Sequence, residues 1–350
     1  MQFAFTEEQA MIAETARGFF AEGATSERTR AAMAANGVDR ALWESFAHTM
    51  GLAGVALPAA FGGAGLGMVE TAIVAEAAGA TVAALPFLAS GVLAGSAVAA
   101  GGSDAQRTDR LPALANGTQI ASFVELATPA DGDRLSGEGL APHGVVADVF
   151  VVAFDGGVGL VAAGAEGVVV EALATMDATR PLARVTLAGA VVERLADPAV
   201  AVATAKAHGA VALAADSLGG AQALLDRTVA YAQTRIQFGR PIGSFQAVKH
   251  RLADMMVVIE QARSAVYWAA CAIDEGSPDA ALAVHSAKAF ACDAYFDCAA
   301  AAIQLHGGIG FTWEHDAHLF FKRAQANRTL LGAPDSHREA VAALMLRTAA

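Results

Sequence analysis

Hydrophobic positions in the first third of the chain recur with the period of an α-helix. A set spaced i, i+4, i+7, i+8 near the N-terminus is typical of one face of an amphipathic helix. Thr6 followed three residues later by Gln9 predicts a capping box at the start of that helix. Further on, the glycine-rich residues 62–65 indicate a turn between helical segments. The apolar face is formed by Ile12, Ala16, Phe19 and Phe20.

The pattern changes between residues 119 and 197. Short β-branched runs at 145–152, 158–161 and 183–187 are separated by Gly, Asp and Pro. Such runs predict strands, and we expect a small antiparallel sheet or barrel.

The helical period returns after residue 198. One stripe ends near Arg235, and a 3-4 spacing from Phe245 to Ile273 predicts a long bundle helix, with Ser244 as its expected N-cap. A further helix is expected to run from about residue 278 to the Gly307-Gly308 pair. The predicted fold is mainly α with a β insert. We expect an N-terminal helical domain over 1–118, a middle β domain over 119–197, and a C-terminal four-helix bundle over 198–350.

Composition and charge narrow the possible partners. The net charge of −12 and the pI near 5.2 argue against nucleic acid and anionic membranes. The charged fraction of 17% lies below the roughly 25% of an ordinary soluble domain, which indicates an oligomer with apolar contact surfaces.

One uncharged stretch requires a membrane test. No charged residue occurs between Glu76 and Asp104, a distance longer than the ~20 residues that a span requires. The stretch is rich in Ala and Gly and contains Pro86, so we expect core helices around a turn and no membrane association. The N-terminus has the pattern of an amphipathic helix instead of a signal peptide, and a cytoplasmic location is expected.

The three cysteines lack the spacing of a metal site and are expected to be buried, reduced core residues, so no metal is predicted. No glycine motif of the GxGxxG type follows a predicted strand, which argues against a nicotinamide-binding Rossmann fold. The cysteines are Cys271, Cys292 and Cys298.

Two motifs in the C-terminal third carry the functional signal. Residues 235–248 read RIQFGRPIGSFQAV, and residues 304–311 read QLHGGIGF. With the N-terminal helix, the glycine turn and the order of the three regions, they resemble the acyl-CoA dehydrogenase family. The resemblance implies an FAD enzyme that oxidises an acyl-CoA to the enoyl-CoA. A carboxylate base would remove the α-proton while the β-hydrogen leaves as hydride to the flavin.

The resemblance also implies which residues bind FAD. Arg235 would reach the pyrophosphate across a subunit interface, because a guanidinium offers a bidentate, permanently charged contact. Three alternatives remain open: Arg235 simply ends a helix, the glycines only cap a helix, and Phe238 belongs to the core. The expected cofactor-binding residues are Arg235, Gln237, Phe238, Gln246, Gln304, Gly307 and Gly308.

The family's catalytic base is missing. Counting from Phe311, the family's glutamate position falls on Leu331, and the threonine that follows it in the family is Ala333. The second position used by some members falls near Gly209, which is not acidic. The resemblance therefore implies no catalytic residue in this chain, with Asp335 as a weak substitute. The nearby carboxylates are Glu314, Asp316, Asp335 and Glu339.

Three hypotheses follow. The chain resembles the non-catalytic, FAD-completing subunit of an α2β2 acyl-CoA dehydrogenase, a type associated with bulky CoA esters such as steroid side-chain intermediates. Alternatively, it is a self-sufficient homotetramer with Asp335 as a displaced base, or a flavin-binding scaffold without dehydrogenase activity. For the first two, the resemblance implies an electron-transfer flavoprotein as the electron acceptor.

Overall fold

The computed structural model describes residues 4–348, with side chains up to residue 346. The helices are α1 (Glu7–Gly23), α2 (Ser26–Ala34), α3 (Arg40–Glu44), α4 (Met68–Gly79), α5 (Gly95–Gly101), α6 (Asp104–Ala115), α7 (Pro198–Thr234), α8 (Gln246–Asp274), α9 (Ala280–His306), α10 (Ala317–Thr329) and α11 (Pro334–Thr348). The strands are β1 (Ala121–Pro129), β2 (Arg134–Pro142), β3 (Val149–Asp155), β4 (Gly157–Ala162), β5 (Val168–Ala172), β6 (Leu182–Val191), β7 (Glu193–Arg194), β8 (Ile236–Gln237) and β9 (Arg240–Pro241). This order of helices, a β insert and further helices confirms the predicted fold class.

The chain forms two compact units. The helical unit contains the described parts of 1–26, 72–83 and 210–350, and the mixed unit contains 27–71 and 84–209. Residues distant in sequence therefore share a unit. The long helices α8 and α9 and the candidate site lie in the helical unit.

The start of α1 follows the sequence prediction. The Thr6 side chain accepts from the Gln9 amide, and the Gln9 side chain accepts from the Thr6 amide, so the capping box is present. Ala16 and Phe20 are fully buried, while Ile12 and Phe19 are partly buried. The predicted apolar face is confirmed.

The mixed unit contains two small sheets, ordered β1-β3-β4-β7 and β2-β6-β5. Residues of both sheets share one hydrophobic core that includes Val124, Phe150 and Val185. The expectation of purely antiparallel strands was wrong, because β1 pairs with β3 in parallel. Since the intervening β2 lies in the other sheet, the chain returns to β3 in the direction of β1.

The strand predicted over 145–152 begins later, at Val149. Residues Gly144–Val146 form a 3₁₀ turn after His143, which has a φ of +55°. Backbone in this left-handed region cannot continue a strand.

The uncharged stretch forms core structure. Residues 88–98 are all buried, in a π-helical segment (Leu88–Ala94) that continues into α5. Core helices following the Pro86 turn are therefore confirmed. Within the described residues, only α7 is long and apolar enough to cross a membrane. Half of its apolar window is buried in the protein, and core helices pass the same test.

The long helices match their predicted bounds, with one correction at a cap. Helix α8 starts at Gln246 after Phe245, and Ser244 provides no capping bond because it lies in the 3₁₀ turn Ile242–Ser244. Helix α9 ends at His306 with Gly307 as its C-cap, as the glycine pair predicts. The cysteines are free, with Cys292 and Cys298 buried and Cys271 partly buried.

Candidate functional site

The first cofactor motif forms a tight reversal between α7 and α8. Strands β8 and β9 pair as a hairpin, and the Ile242 amide donates to the Arg235 carbonyl at 2.8 Å. Phe238 stands at the hairpin tip with a φ of +53°, followed by Gly239 at +76°. The guanidinium of Arg240 lies 4.0 Å from the Phe245 ring centroid. These contacts fix where α8 begins, and with it Gln246.

Tyr231 and His306 join this motif to the second one. Their rings stack with centroids 4.5 Å apart, and the Tyr231 hydroxyl donates to the His306 carbonyl at 3.3 Å. Tyr231 lies one helical turn before Arg235, and His306 directly precedes Gly307. The contact therefore places the two motifs at the same end of the helical unit. The buried His306 ring bonds the Ala302 carbonyl through Nδ1, which supports a structural role in the cofactor loop.

The predicted cofactor-binding groups are exposed, and several have no partner among the residues that the structure describes. The side chains of Arg235, Gln246 and Gln304 are solvent-exposed and make no hydrogen bond or ion pair with the described residues. Gln237 is also exposed and bonds the adjacent Ile236 carbonyl. Free polar groups at one end of a helical unit can bind a ligand without first breaking a bond.

The glycine pair leaves its backbone open. Gly307 has a φ of +64° and a ψ of −143°, a conformation that only glycine adopts readily. A Cβ on Gly307 or Gly308 would meet no atom within 4 Å. Gly307 thus caps α9, and the backbone of the glycine pair is also open to a ligand, so the two roles expected for these glycines are compatible.

Large apolar side chains project from the same loops and from α8. Phe238 is 92% exposed, which excludes the core alternative for this residue, and Phe311 is 82% exposed. Exposed apolar patches of this kind mark surfaces that another molecule covers. The exposed apolar residues of these segments are Ile236, Phe238, Met256, Val257, Ile309, Phe311 and Trp313.

This donor set fits FAD. A free guanidinium suits a pyrophosphate, amide side chains suit ribose or adenine edges, and unobstructed glycine backbone permits close approach of a phosphate. An exposed aromatic ring such as that of Phe238 can pack against a planar group. Every expected cofactor-binding residue is accessible from solvent.

At the family's base position, the turn at residues 330–333 joins α10 to α11. Leu331 has a φ of +58° and Gly332 a φ of +104°. The fully buried Lys288 donates to the carbonyls of Asn327 and Gly332 at 2.8 and 3.2 Å. His337 Nε2 lies 3.0 Å from the Leu331 carbonyl oxygen. Only backbone atoms of Leu331 and Gly332 take part in these contacts.

A buried polar network lies beneath this turn. Asn327 donates to Asp216 at 2.7 Å and to Ser217 at 2.9 Å, and Arg323 donates to Asp216 at 3.0 Å. Cys292 lies within 3.5 Å of Ser217, and burial raises the pKa of its thiol. Helices α7, α9 and α10 thus hold the turn, although it carries no acid.

The nearby carboxylates are exposed to solvent or paired with other side chains. Asp335 has a side chain 92% exposed and pairs with Arg338 at 3.0 Å. Asp316 accepts from Ser26 at 2.6 Å and from Arg227 at 3.3 Å. Glu314 and Glu339 are exposed. Gly209, at the second family position, is buried.

A polar cleft of about 380 Å³ lies elsewhere in the helical unit and was not anticipated. Its Glu76 carboxylate accepts from Arg263 and from the Tyr267 hydroxyl, both at 2.6 Å. Burial and the charge of Glu76 raise the pKa of Tyr267 well above its usual value. Arg263 also donates to Gln222 at 3.0 Å. Glu76 is therefore bound in an ion pair. In the sequence, the feature that sets Glu76 apart is its position as the last charged residue before the long uncharged stretch.

Comparison with known proteins identifies the family. Residues 6–118 match the model of the acyl-CoA dehydrogenase N-terminal domain, and residues 199–346 match that of the C-terminal domain. The chain is 38% identical to acyl-CoA dehydrogenase IpdE2 of Mycobacterium tuberculosis over 94% of both sequences. The chain belongs to the acyl-CoA dehydrogenase family. Membership confirms FAD as the expected cofactor and acyl-CoA dehydrogenation as the expected reaction class.

Solved structures of the family agree with this fold over nearly the whole chain. A structure titled Tcur3481-Tcur3483 steroid ACAD G363A variant matches with a TM-score of 0.90 and 33% identity, covering 98% of this chain and 99% of that one. The ChsE4-ChsE5 complex from Mycobacterium tuberculosis matches with a TM-score of 0.91 and 31% identity, covering 99% of both chains. The second of these structures is a complex of two proteins, ChsE4 and ChsE5.

Proposed function

We propose that this chain is the FAD-completing, non-catalytic subunit of an α2β2 acyl-CoA dehydrogenase. The observation that carries the proposal is the contrast between the cofactor-binding groups and the base position of the helical unit. The flavin-side groups at Arg235, Gln246, Gln304 and Gly307 are exposed, whereas the base position is Leu331 in a turn without a free acid. A second acyl-CoA dehydrogenase-like chain would supply the carboxylate and the substrate pocket.

Bound FAD would accept the hydride that leaves the β-carbon of the acyl-CoA. This chain's own residues would bind and orient the cofactor. Arg235 would neutralise pyrophosphate charge, Gln246 and Gln304 would hydrogen-bond the nucleotide half, and the backbone at Gly307-Gly308 would approach it closely. Exposed aromatic side chains such as Phe238 and Phe311 would be covered by the companion subunit, which also excludes water from the cofactor.

Relatives support a bulky CoA ester as the substrate class. One similar structure is a steroid ACAD, and another is a complex of two proteins. We propose a steroid-type or similarly bulky acyl-CoA as substrate and an electron-transfer flavoprotein as electron acceptor. The acidic charge of −12 is consistent with the proposed cytoplasmic location, away from nucleic acid and membranes.

Co-expression with the companion chain tests the proposal. The complex should contain two copies of each chain, about one FAD per two chains and acyl-CoA dehydrogenase activity, while the isolated chain should show little turnover. Robust activity of a pure homo-oligomer would overturn it and favour the homotetramer hypothesis. A complex without flavin absorbance would favour the scaffold hypothesis.

A further inference from the structure

Two histidines from different helices meet beside the turn at residues 330–333. His285 of α9 and His337 of α11 approach with their Nδ1 atoms 2.8 Å apart, and the ring centroids are 4.9 Å apart. His337 is buried and its Nε2 lies 3.0 Å from the Leu331 carbonyl oxygen. The turn, His337 and His285 therefore form one continuous chain of hydrogen bonds.

The Leu331 carbonyl oxygen, at one end of this series of hydrogen bonds, determines which ring nitrogens of the two histidines carry protons. A carbonyl oxygen can only accept, so His337 must carry a proton on Nε2. Neutral His337 then has a bare Nδ1, which accepts from a proton on Nδ1 of His285. One further proton can be accommodated, because His285 can move its own proton to Nε2 and accept instead. A second further proton would place two N–H groups against each other across 2.8 Å.

The surroundings oppose added positive charge. Lys288, one turn after His285 on α9, is fully buried and donates to the carbonyl oxygens of Asn327 and Gly332. On α11, Asp335 is 92% exposed and pairs with Arg338, and Arg338 also binds Asp293 of α9 at 2.5 Å. Glu339 of α11 is exposed to solvent. Among the described residues, the positive charges that lower the pKa of His337 are those of Lys288 and of a protonated His285.

Glycine at position 332 reflects how closely the rings pack on the turn. A Cβ at Gly332 would lie 3.0 Å from His337 Nε2, and its φ of +104° also requires glycine. Lys288 holds the same residue's carbonyl from the other helix at 3.2 Å. The turn has two independent anchors. One is the amine of Lys288, and the other depends on the protonation of two histidines.

We propose that His285 and His337 form an acid-sensitive latch on the turn at 330–333, closed while the pair shares at most one extra proton and open when both rings are charged. The latch positions the backbone at the site where the family carries its base. It acts through backbone carbonyls and is independent of the side chain at 331. It does not depend on the assembly proposed above.

The direction of the pH dependence follows from the same contacts. Burial lowers the pKa of both His285 and His337, and the charge of Lys288 lowers that of His337 further. A histidine whose folded-state pKa lies below its unfolded value contributes stability above the unfolded value, and that stability is lost on acidification. The latch should therefore be closed at pH 7. It should lose stability as the pH falls below the unfolded-state value of about 6.5, and it should open at the lower pH at which the second ring also takes a proton.

Hydrogen–deuterium exchange of the peptide that contains residues 330–333 tests the latch on the full chain. After correction for intrinsic exchange, the wild-type peptide should lose protection about five- to tenfold between pH 7 and pH 4.5, as expected for one lost hydrogen bond. In His337→Gln, whose amide donates but does not titrate, protection should change little. His48→Gln, which removes an exposed histidine of the mixed unit, should behave like wild type. An acid response equal to wild type in His337→Gln would overturn the proposal.

Nitrogen-15 spectra of labelled histidines provide a test without a substitution. At pH 7, one buried histidine should show the tautomer protonated on Nε2, and the two paired rings should gain protons only below about pH 6.5. A His337 that is doubly protonated at pH 7, or a pair that titrates above pH 7, would contradict the latch.

Discussion

Two glycine turns of the helical unit differ in how tightly the rest of the protein holds them. The Gly307-Gly308 turn after α9 is exposed and has open space around its backbone. The Leu331-Gly332 turn after α10 is held by Lys288 and His337, with a buried network beneath it. The first turn keeps groups available for a ligand. The second keeps its backbone shape although the acid of the family is absent. The backbone shape of a turn in this fold is therefore held independently of whether its side chain is an acid.

The largest expected effect concerns the network under the second turn. Arg323→Met removes the cation that pairs with the buried Asp216 at 3.0 Å. An uncompensated buried carboxylate should lower the free energy of unfolding by about 3–5 kcal/mol. Urea unfolding measures this loss. Lys322→Met, at a partly exposed neighbour that lies over the Trp313 ring, is the control and should cost about 1 kcal/mol or less. Equal effects for the two variants would refute a network that holds the turn.

A smaller effect, on FAD affinity, is expected at the end of the helical unit that carries the Gly307-Gly308 turn. Arg235→Gln should weaken FAD binding by the assembled complex about 10- to 100-fold, because a charge-assisted hydrogen bond is lost. The exposed side chain contributes little to folding, so the unfolding free energy should change by less than about 0.5 kcal/mol. Flavin fluorescence during dilution measures the affinity. The exposed Arg251→Gln on α8 is the matched control, and an equal loss there would indicate a nonspecific charge effect.

Leu331→Glu sharpens the comparison further. The turn is fixed through backbone carbonyls, so the exchange of this partly buried side chain should cost at most about 2 kcal/mol of unfolding free energy. The isolated variant should still show no acyl-CoA turnover, since the substrate pocket would belong to the companion chain. Enoyl-CoA formation by the pure variant, followed at the flavin absorbance, would show instead that only the acid had been lost.

The smallest effect is expected at Asp335. Its exposed pair with Arg338 should contribute no more than about 0.5 kcal/mol, and Asp335→Asn should leave the activity of the complex unchanged. Steady-state kinetics of wild-type and variant complexes measure this. Abolished enoyl-CoA formation with retained flavin would identify Asp335 as a displaced base and remove the contrast between the two turns.

Much of this protein was determined by local sequence. The Thr6 capping box, the ends of α8 and α9, and the glycine C-cap at Gly307 follow from short-range patterns, because a helix end is satisfied by residues within a few positions. The two motifs and the missing acid at Leu331 were also readable, since they depend on residue identity and spacing.

Only the tertiary structure decided the remaining features. The parallel β1–β3 pair depends on β2 lying in a second sheet, and the failure of Ser244 as a cap depends on the preceding reversal. His337 follows the turn closely, six residues after Leu331. The contacts from α9 are distant in sequence: Lys288 lies 44 residues before Gly332, and His285 lies 52 residues before His337. No local pattern encodes such contacts, because they form only when packing brings the helices together. The sequence by itself thus showed that the family's acid is absent at Leu331, and only the fold showed which contacts hold the turn at that position.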